Sequence, residues 1–531
     1  MKSYSKRNRF FYGAALSAIL VSTIFSVTLQ FFKGDILDAA MAGNPSKALR
    51  CVLLLLLFLL CENLFYFLYG WYAARFVTGC TKMLKRDLFQ RILQHSYTAY
   101  KTHSQGWYIA KYTNEADDIQ TCRFQMLPLL WEILLKVLFV SAALFLLDAR
   151  IAVLTLLLLT TPLYLPKLIE KPLQAAQTAE LQTAERVLTC MQDWLSGFEI
   201  VKNFSAEKDI FQKFNAVHDD AMQAMLHNAR WKAVSQLLTA LMSYLSYFII
   251  LACSAGLVLT GRFSAGDFLV AIGMIDQISY PLISLADILR AFVAIRPTCQ
   301  SMEAFLAEPD ASVPAKVLLS VEQTIAYHAV TFCYPDSARP VLQNRSFTLQ
   351  KGKRYLLKGP SGCGKTTAVN LLLRYYDPTS GKITVDGRPL SAFDSTYACV
   401  TVVRQEAVLF HDSLRNNLTL YQKHPDEALF RVLRSVGLDR FATPAALDAT
   451  VSENGTNLSG GEKKRLCLAR ALLRDTDVLI LDEPLANLDD ETASKIEDLL
   501  LSIQGKILLI VSHQFDAEKV KRFDGIIRFD R

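Results

Sequence analysis

Charge is scarce in this 531-residue chain: Asp, Glu, Lys and Arg supply 20% of it, against 52% hydrophobic residues. Together with a mean hydropathy of +0.23, that balance places part of the chain in lipid. Metal-ligand spacing is missing too. The eleven cysteines are scattered, which argues against a disulfide framework and for a reducing, cytosolic half. No strong excess of one sign of charge appears: the net charge is +7, and basic residues gather at membrane edges, as in Lys2, Lys6, Arg7 and Arg9. They read as a positive-inside signal, not as a nucleic-acid patch. The apolar run Phe10–Val27 lacks a convincing small-residue cleavage site, so it is expected to stay as a first membrane helix.

What is present falls into two halves. Apolar stretches recur to about residue 295 and then stop. Six helical spans are expected at 10–32, 47–73, 125–147, 151–169, 235–259 and 265–292, each near the roughly 20 residues that cross hydrocarbon. The connections "GDILDAAMAGNPSK", "LLDAR" and "LTGRFSAGD" are short. Two others, from Lys82 to Asp118 and from Glu170 to Lys232, are long, polar and helix-periodic. Their basic residues, among them Lys82, Lys85, Arg86 and Arg91, put them in the cytoplasm. Their length predicts helices that continue beyond the bilayer. From about residue 320, β-rich runs such as "RYLLKG", "CVTVV", "DVLILD" and "KILLIVS" alternate with helices, an α/β nucleotide-binding pattern. The expected fold is an all-α six-helix transmembrane domain over 1–300, a linker over 301–319 and an α/β P-loop NTPase domain over 320–531.

In "RYLLKGPSGCGKTT" a strand runs into Gly359, Pro360, Ser361, Gly362, Cys363, Gly364, Lys365, Thr366 and Thr367, and a helix follows. The G-x-x-x-x-G-K-T spacing lets backbone N–H groups wrap phosphates, Lys365 meet the β/γ oxygens and Thr366 offer its hydroxyl to Mg2+. In "DVLILDEP" an apolar strand ends at Asp482, placed to hold Mg2+ through water, and Glu483 follows, placed to orient the attacking water.

These motifs resemble the ATP-binding cassette (ABC) transporters, as a half-transporter with one membrane domain and one cassette. "LSGGE" at 458–462 resembles the family signature, and Gln405 stands where the Q-loop glutamine would. "LANLD" ending at Asp489 resembles the D-loop, His513 in "IVSHQ" the switch histidine, and Tyr334 in "TFCYP" the aromatic that stacks on adenine. The resemblance implies that Tyr334, the 359–367 loop, Ser459, Gly460, Gly461, Glu462 and Asp489 contact ATP. It also implies that Glu483, His513 and Gln405 act in hydrolysis, and that Thr366, Gln405 and Asp482 hold Mg2+. In this family two cassettes meet head-to-tail, each signature closing over the other's nucleotide. A second half-transporter is therefore an expected partner, a homodimer by the intactness of Glu483 and the signature, with a heterodimer left open. "LSGFEIVKNFSAEKDIFQKF" (195–214) and the stretch ending at Asp117–Asp118 resemble the exporter-type cytoplasmic loops, and "VLFHDSLRNNL" (408–418) the cassette surface that receives them. Departures are small: Glu462 where glutamine is common, Arg404 where proline is frequent, and a partial match at Glu453 and Gly455.

The expected activity is ATP-driven transport of a small amphipathic molecule, lipid or peptide across the cell membrane, with the cassette in the cytoplasm. Export competes with import on the same fold, as in some siderophore uptake systems. No peptidase domain precedes the first span, so a leader-cleaving peptide exporter is not expected. Six apolar spans exclude a soluble cassette machine, and a membrane-anchored kinase lacks a second hydroxyl-substrate site. Within the spans, Glu62, Glu132, Lys136 and Asp276 are expected to face the bundle interior or one another, because a charge facing lipid costs roughly 2.5–3.5 kcal/mol. Glu62, Tyr66 and Tyr69 recur at helical spacing and form one polar–aromatic face. Lys365→Ala is expected to weaken ATP binding and abolish turnover. Glu483→Gln is expected to keep binding but lower the rate on the order of 100-fold or more; a steady-state ATPase assay beside a nucleotide-binding titration separates the two.

Overall fold

The computed structural model describes residues 1–159, 170–308, 320–334, 337, 339–360, 362–393, 396–452, 455–486, 488–512, 515 and 517–529. The chain divides into two units, Met1–Leu93 with Ser104–Glu308, and Gln94–His103 with Pro309–Arg531.

The first unit is helical. Among the described residues, four helices are long and apolar enough to cross a membrane: Arg9–Met41, Pro45–Gln94, Gln105–Leu147 and Glu207–Leu259. The expected span 151–169 begins as the helix Ala149–Leu159; residues 160–169 lie outside the described residues. The expected span 265–292 is the helix Ala265–Ala294, which is not among those four. One core cluster joins Val27, Val140, Leu144, Ile151, Ile250, Met274 and Ile275, so the helices bury an apolar stripe against one another.

Three boundaries differ from expectation. The first helix runs on to Met41, through most of the segment expected to be a connection, and stops before Gly43, whose φ of +65° suits glycine. The extension is fixed by Asp38, whose carboxylate accepts from the Ser264 hydroxyl at 2.7 Å and the Gly266 N–H at 2.7 Å, at the N-terminus of Ala265–Ala294. The polar stretch 82–118 is broken twice, where Ser96 caps Tyr97–Lys101 and Ser104 caps Gln105–Ala110. Residues 94–103 then group with the second unit. Residues 301–307, expected in the linker, continue the helix Arg296–Ala307, which buries Met302 and Phe305; residues 309–319 lie outside the described residues.

In the second unit, the four expected β runs form strands. The strands are β1 (Thr324–Phe332), β2 (Leu342–Gln350), β3 (Arg354–Lys358), β4 (Ser380–Val385), β5 (Arg388–Pro389), β6 (Val400–Val403), β7 (Val478–Asp482), β8 (Ile507–Val511) and β9 (Gly525–Arg528). An antiparallel sheet has the order β2-β1-β4-β5, and a sheet of parallel pairs the order β6-β7-β8-β3-β9. The central residues of β3 (Tyr355–Leu357), Val478–Leu481 of β7 and all of β8 are apolar and buried because both faces of the sheet are covered. Leu357, Val478, Ile480 and Leu509 face the core shared with β1 and β2. Leu356, Leu479, Leu481 and Ile510 face the core shared with the helices Gly460–Leu473 and Asp490–Ser502.

Where the first and last long helices cross, glycine is required on both. A Cβ at Gly34 would lie 2.6 Å from Val270 Cγ2 and 2.8 Å from the Gly266 oxygen. Such close backbone approach is how helices pack in lipid. Gly34→Val is expected to destabilise the membrane unit by about 1–3 kcal/mol, read as a lower unfolding temperature in detergent, while Gly13→Ala, where a Cβ meets nothing within 4 Å, leaves it unchanged.

Candidate functional site

β3 ends at Lys358, and the chain turns at once through the glycine-rich loop into the helix Lys365–Leu372. Two glycines there have left-handed backbones, Gly362 at φ +80° and Gly364 at φ +97°. A Cβ at Gly359 would collide with the Phe529 carbonyl oxygen and lie 2.8 Å from Cys363 Sγ. The loop is thus a cradle that side chains would fill. Lys365 is 9% exposed and its Nζ donates to the carbonyls of Gly359 at 2.6 Å and Pro360 at 3.0 Å, with Cys363 Sγ at 3.9 Å. Thr366 is exposed beside it. Thr367 is buried, and its hydroxyl hydrogen-bonds that of Tyr334 at 3.1 Å. The Tyr334 ring is held edge-on by Phe332 and Tyr376, at 4.9 and 5.3 Å.

β7 delivers the acids. Its register pairs Asp482 with Val511 of β8, one strand away from β3. Burial raises the Asp482 carboxyl above its ordinary pKa, opposed by the cations Arg404, Lys365 and Lys464. Glu483 leaves the strand with φ +50°, a conformation that costs a non-glycine residue of order 1–3 kcal/mol and needs support from its surroundings. Two contacts supply it: the Glu483 N–H donates to the Val511 carbonyl at 2.8 Å, and Lys464 Nζ donates to the Glu483 carbonyl at 2.8 Å.

A cavity of about 610 Å³ brings these groups together: Tyr334, Gly362, Gly364, Lys365, Thr366, Thr367, Gln405, Asp482 and Glu483 all line it. Gln405 comes from the turn after β6. Gly359, Pro360 and Cys363 of the loop do not line the cavity but contact the Lys365 ammonium; Ser361 and His513 lie outside the described residues. Among the described residues, none of 458–462 lines the cavity. Ser459 instead caps the helix Gly460–Leu473: its hydroxyl accepts from the Glu462 N–H, and the Glu462 carboxylate accepts from the Ser459 N–H. Glu462 also pairs with Arg440 at 2.5 Å, so its carboxylate is held inside its own chain. Asp489 caps the helix Asp490–Ser502, accepting from the Thr492 N–H at 2.9 Å.

Residues 12–282 match the family model of the ABC transporter transmembrane region, and residues 342–486 match that of the ABC transporter. The chain belongs to the ABC transporters. The ATP-dependent lipid A-core flippase of Syntrophus aciditrophicus (strain SB) is 24% identical over 530 residues, covering 97% of this chain and 87% of that protein. That of Pasteurella multocida (strain Pm70) is 30% identical over 332 residues, 61% of this chain and 57% of its own. A bacterial Atm1-family ABC exporter with ATP bound shares the fold, with a TM-score of 0.82 at 22% identity, over 98% of this chain and 93% of that one. ATP hydrolysis coupled to transport is the activity of this ABC transporter, and the protein spans the membrane several times.

The donor set fits ATP with Mg2+. The loop offers amides and an ammonium to phosphate, while Thr366 and Asp482 offer the hydroxyl and carboxylate oxygens that a hard cation prefers. When bound, Mg2+ would neutralise phosphate charge; Gln405 is the third residue able to face it. Lys464 is the residue that motif spacing did not reveal. It is buried, and it donates to both the Glu483 carbonyl and the Ala486 carbonyl, the latter at 3.1 Å. Burial lowers its pKa, opposed by Glu483 and Asp482. Its signal in the sequence is slight, a lysine one turn into the signature helix.

Lys464→Met keeps the stem and leaves two part-buried carbonyls without this donor, which costs up to about 1–3 kcal/mol. The expected result is a kcat lowered on the order of tenfold through loss of Glu483 alignment, with ATP affinity nearly unchanged. Parallel kcat and fluorescent-nucleotide binding measurements check that split.

Proposed function

We propose that this chain is one half of a dimeric exporter that moves an amphipathic, lipid-like molecule away from the cytoplasmic side of the cell membrane, its cassette lying in the cytoplasm. The observation that carries the reading is a polar cluster inside otherwise apolar helices. Lys136 Nζ donates to the buried carboxylate of Glu132 at 2.7 Å. The Tyr66 ring lies 5.8 Å from Lys136 Nζ, and Tyr66 and Tyr69 stand 5.8 Å apart. Glu62, half-buried, lies one turn before Tyr66 on the same helix. A neutralised ion pair beside aromatic rings suits a cargo with a charged head and an apolar body. Relatives named for lipid A-core flipping, aligned along nearly the whole chain, support the same cargo class.

The dimer is supported by the division of labour in the cassette. The signature residues Ser459, Gly460 and Gly461 start a helix whose N-terminal amides suit an anion, and they are absent from the lining of the chain's own cavity. In the proposed pair they complete the partner's site. Within each site, Lys365 and the loop amides would hold the phosphates, Thr366, Asp482 and Gln405 would hold Mg2+, and Tyr334 would support the adenine. Glu483 orients the attacking water and accepts its proton, and His513 is the proposed switch residue in hydrolysis.

The test is reconstitution into phosphatidylethanolamine–phosphatidylglycerol liposomes that carry a fluorescent lipid in both leaflets. ATP supplied to outward-facing cassettes is expected to move label into the inner leaflet, seen as a falling dithionite-accessible fraction, and Glu483→Gln should not do so. Movement toward the cassette side would establish import instead. Intact ATPase with no redistribution of a labelled phospholipid or lipid A analogue would remove lipid as the cargo.

A further inference from the structure

Arg404, which stands where exporters often carry proline, follows β6 and immediately precedes the cavity-lining Gln405. Its Nη2 donates to Asn370 Oδ1 at 2.7 Å, near the end of the phosphate-loop helix Lys365–Leu372. Its guanidinium carbon lies 5.8 Å from the centre of the Tyr375 ring. That ring is stacked on Tyr97, with centroids 3.7 Å apart and planes 14° apart. Tyr97 opens the short helix Tyr97–Lys101, in the segment 94–103 that groups with the cassette although both of its neighbours in sequence belong to the membrane unit. Lys101 Nζ lies 5.7 Å from the Tyr97 ring.

One side chain thus bonds the phosphate-loop helix and lies over Tyr375, one ring of the aromatic pair, and its backbone leads directly into the cavity wall. Proline at 404 would make neither contact, and lysine would lack the planar fork that both bonds and stacks.

We propose that Arg404 is a positioning residue that links the nucleotide cavity to the segment 94–103 through Asn370 and the Tyr375–Tyr97 stack, so that nucleotide binding sets the order of that segment; this rests on the reading of the protein as an ATP-driven transporter. The link is a contiguous set of packed and hydrogen-bonded groups, and the segment it reaches is continuous in the chain with the helices Pro45–Gln94 and Gln105–Ala110.

The test is hydrogen–deuterium exchange on the full-length protein in phosphatidylethanolamine–phosphatidylglycerol nanodiscs, with and without ATP and Mg2+, for the wild type, Arg404→Met, Tyr97→Leu, Tyr97→Phe and the Arg404→Met/Tyr97→Leu double variant. ATP is expected to change exchange at 94–103 in the wild type and in Tyr97→Phe, which keeps the stack. Without nucleotide, each of Arg404→Met and Tyr97→Leu should raise exchange there on the order of tenfold, and the double variant no further, because one link is broken in each. Unaltered exchange at 94–103 in Arg404→Met, or single effects that multiply in the double variant, would overturn the link. Should Arg404→Met fail to fold, Tyr97→Leu read at residues 370–375 and 404–406 decides it, unaltered exchange there counting against. The exchange measurement needs no turnover, so a wild type that binds ATP without hydrolysing it would overturn the proposed function and not the link.

Discussion

The chemistry of the cassette hangs from the carboxyl ends of β3 and β7, held one strand apart by β8 in a sheet buried on both faces. Because those strands are parallel and in fixed register, the ends of Lys358 and Asp482 emerge on the same rim, where open α/β sheets place their ligands. The apolar residues that cover the sheet therefore also set the separation between Lys365 and the acidic pair. A shift of one residue in β7 would turn Asp482 to the other face of the sheet. Packing, not the loops themselves, fixes the site.

Cations then fine-tune what the sheet has aligned. Lys365 is satisfied by loop carbonyls, Lys464 by the backbone carbonyls of Glu483 and Ala486, and Arg404 by Asn370. All three oppose the rise that burial imposes on Asp482. They act on Asp482 from three separate elements: the phosphate-loop helix, the signature helix and the turn after β6. The strained Glu483 backbone is stable only because its N–H and carbonyl are both held by such neighbours.

Within its apolar spans the membrane unit keeps charge rare. Glu132 and Lys136 neutralise each other, and Asp38 spends both oxygens on the start of another helix. Elsewhere small residues do the joining. Gly273 approaches Gln30 as Gly34 approaches Gly266, so the Arg9–Met41 and Ala265–Ala294 helices meet along more than one turn. Lipid gives no hydrophobic force for this association, which leaves close packing and internal hydrogen bonds to provide it.

The sequence by itself determined what depends on near neighbours in the chain: the apolar spans, the strand runs, the phosphate loop and the acids after β7. Spacing along the chain is all that such patterns record, and these features are local. It also carried the signature, whose helix start and capping box lie within four residues, Ser459 to Glu462. Only the tertiary structure decided which distant groups meet. Lys464 finds the Glu483 carbonyl, Arg404 reaches Asn370 and Tyr375, and Tyr375 stacks on Tyr97 nearly three hundred residues earlier in the chain. The same is true of helix ends and unit membership. The first helix runs on to Met41, where Asp38 meets Ser264, and residues 94–103 group with the cassette, because contacts made after folding outweigh local propensity.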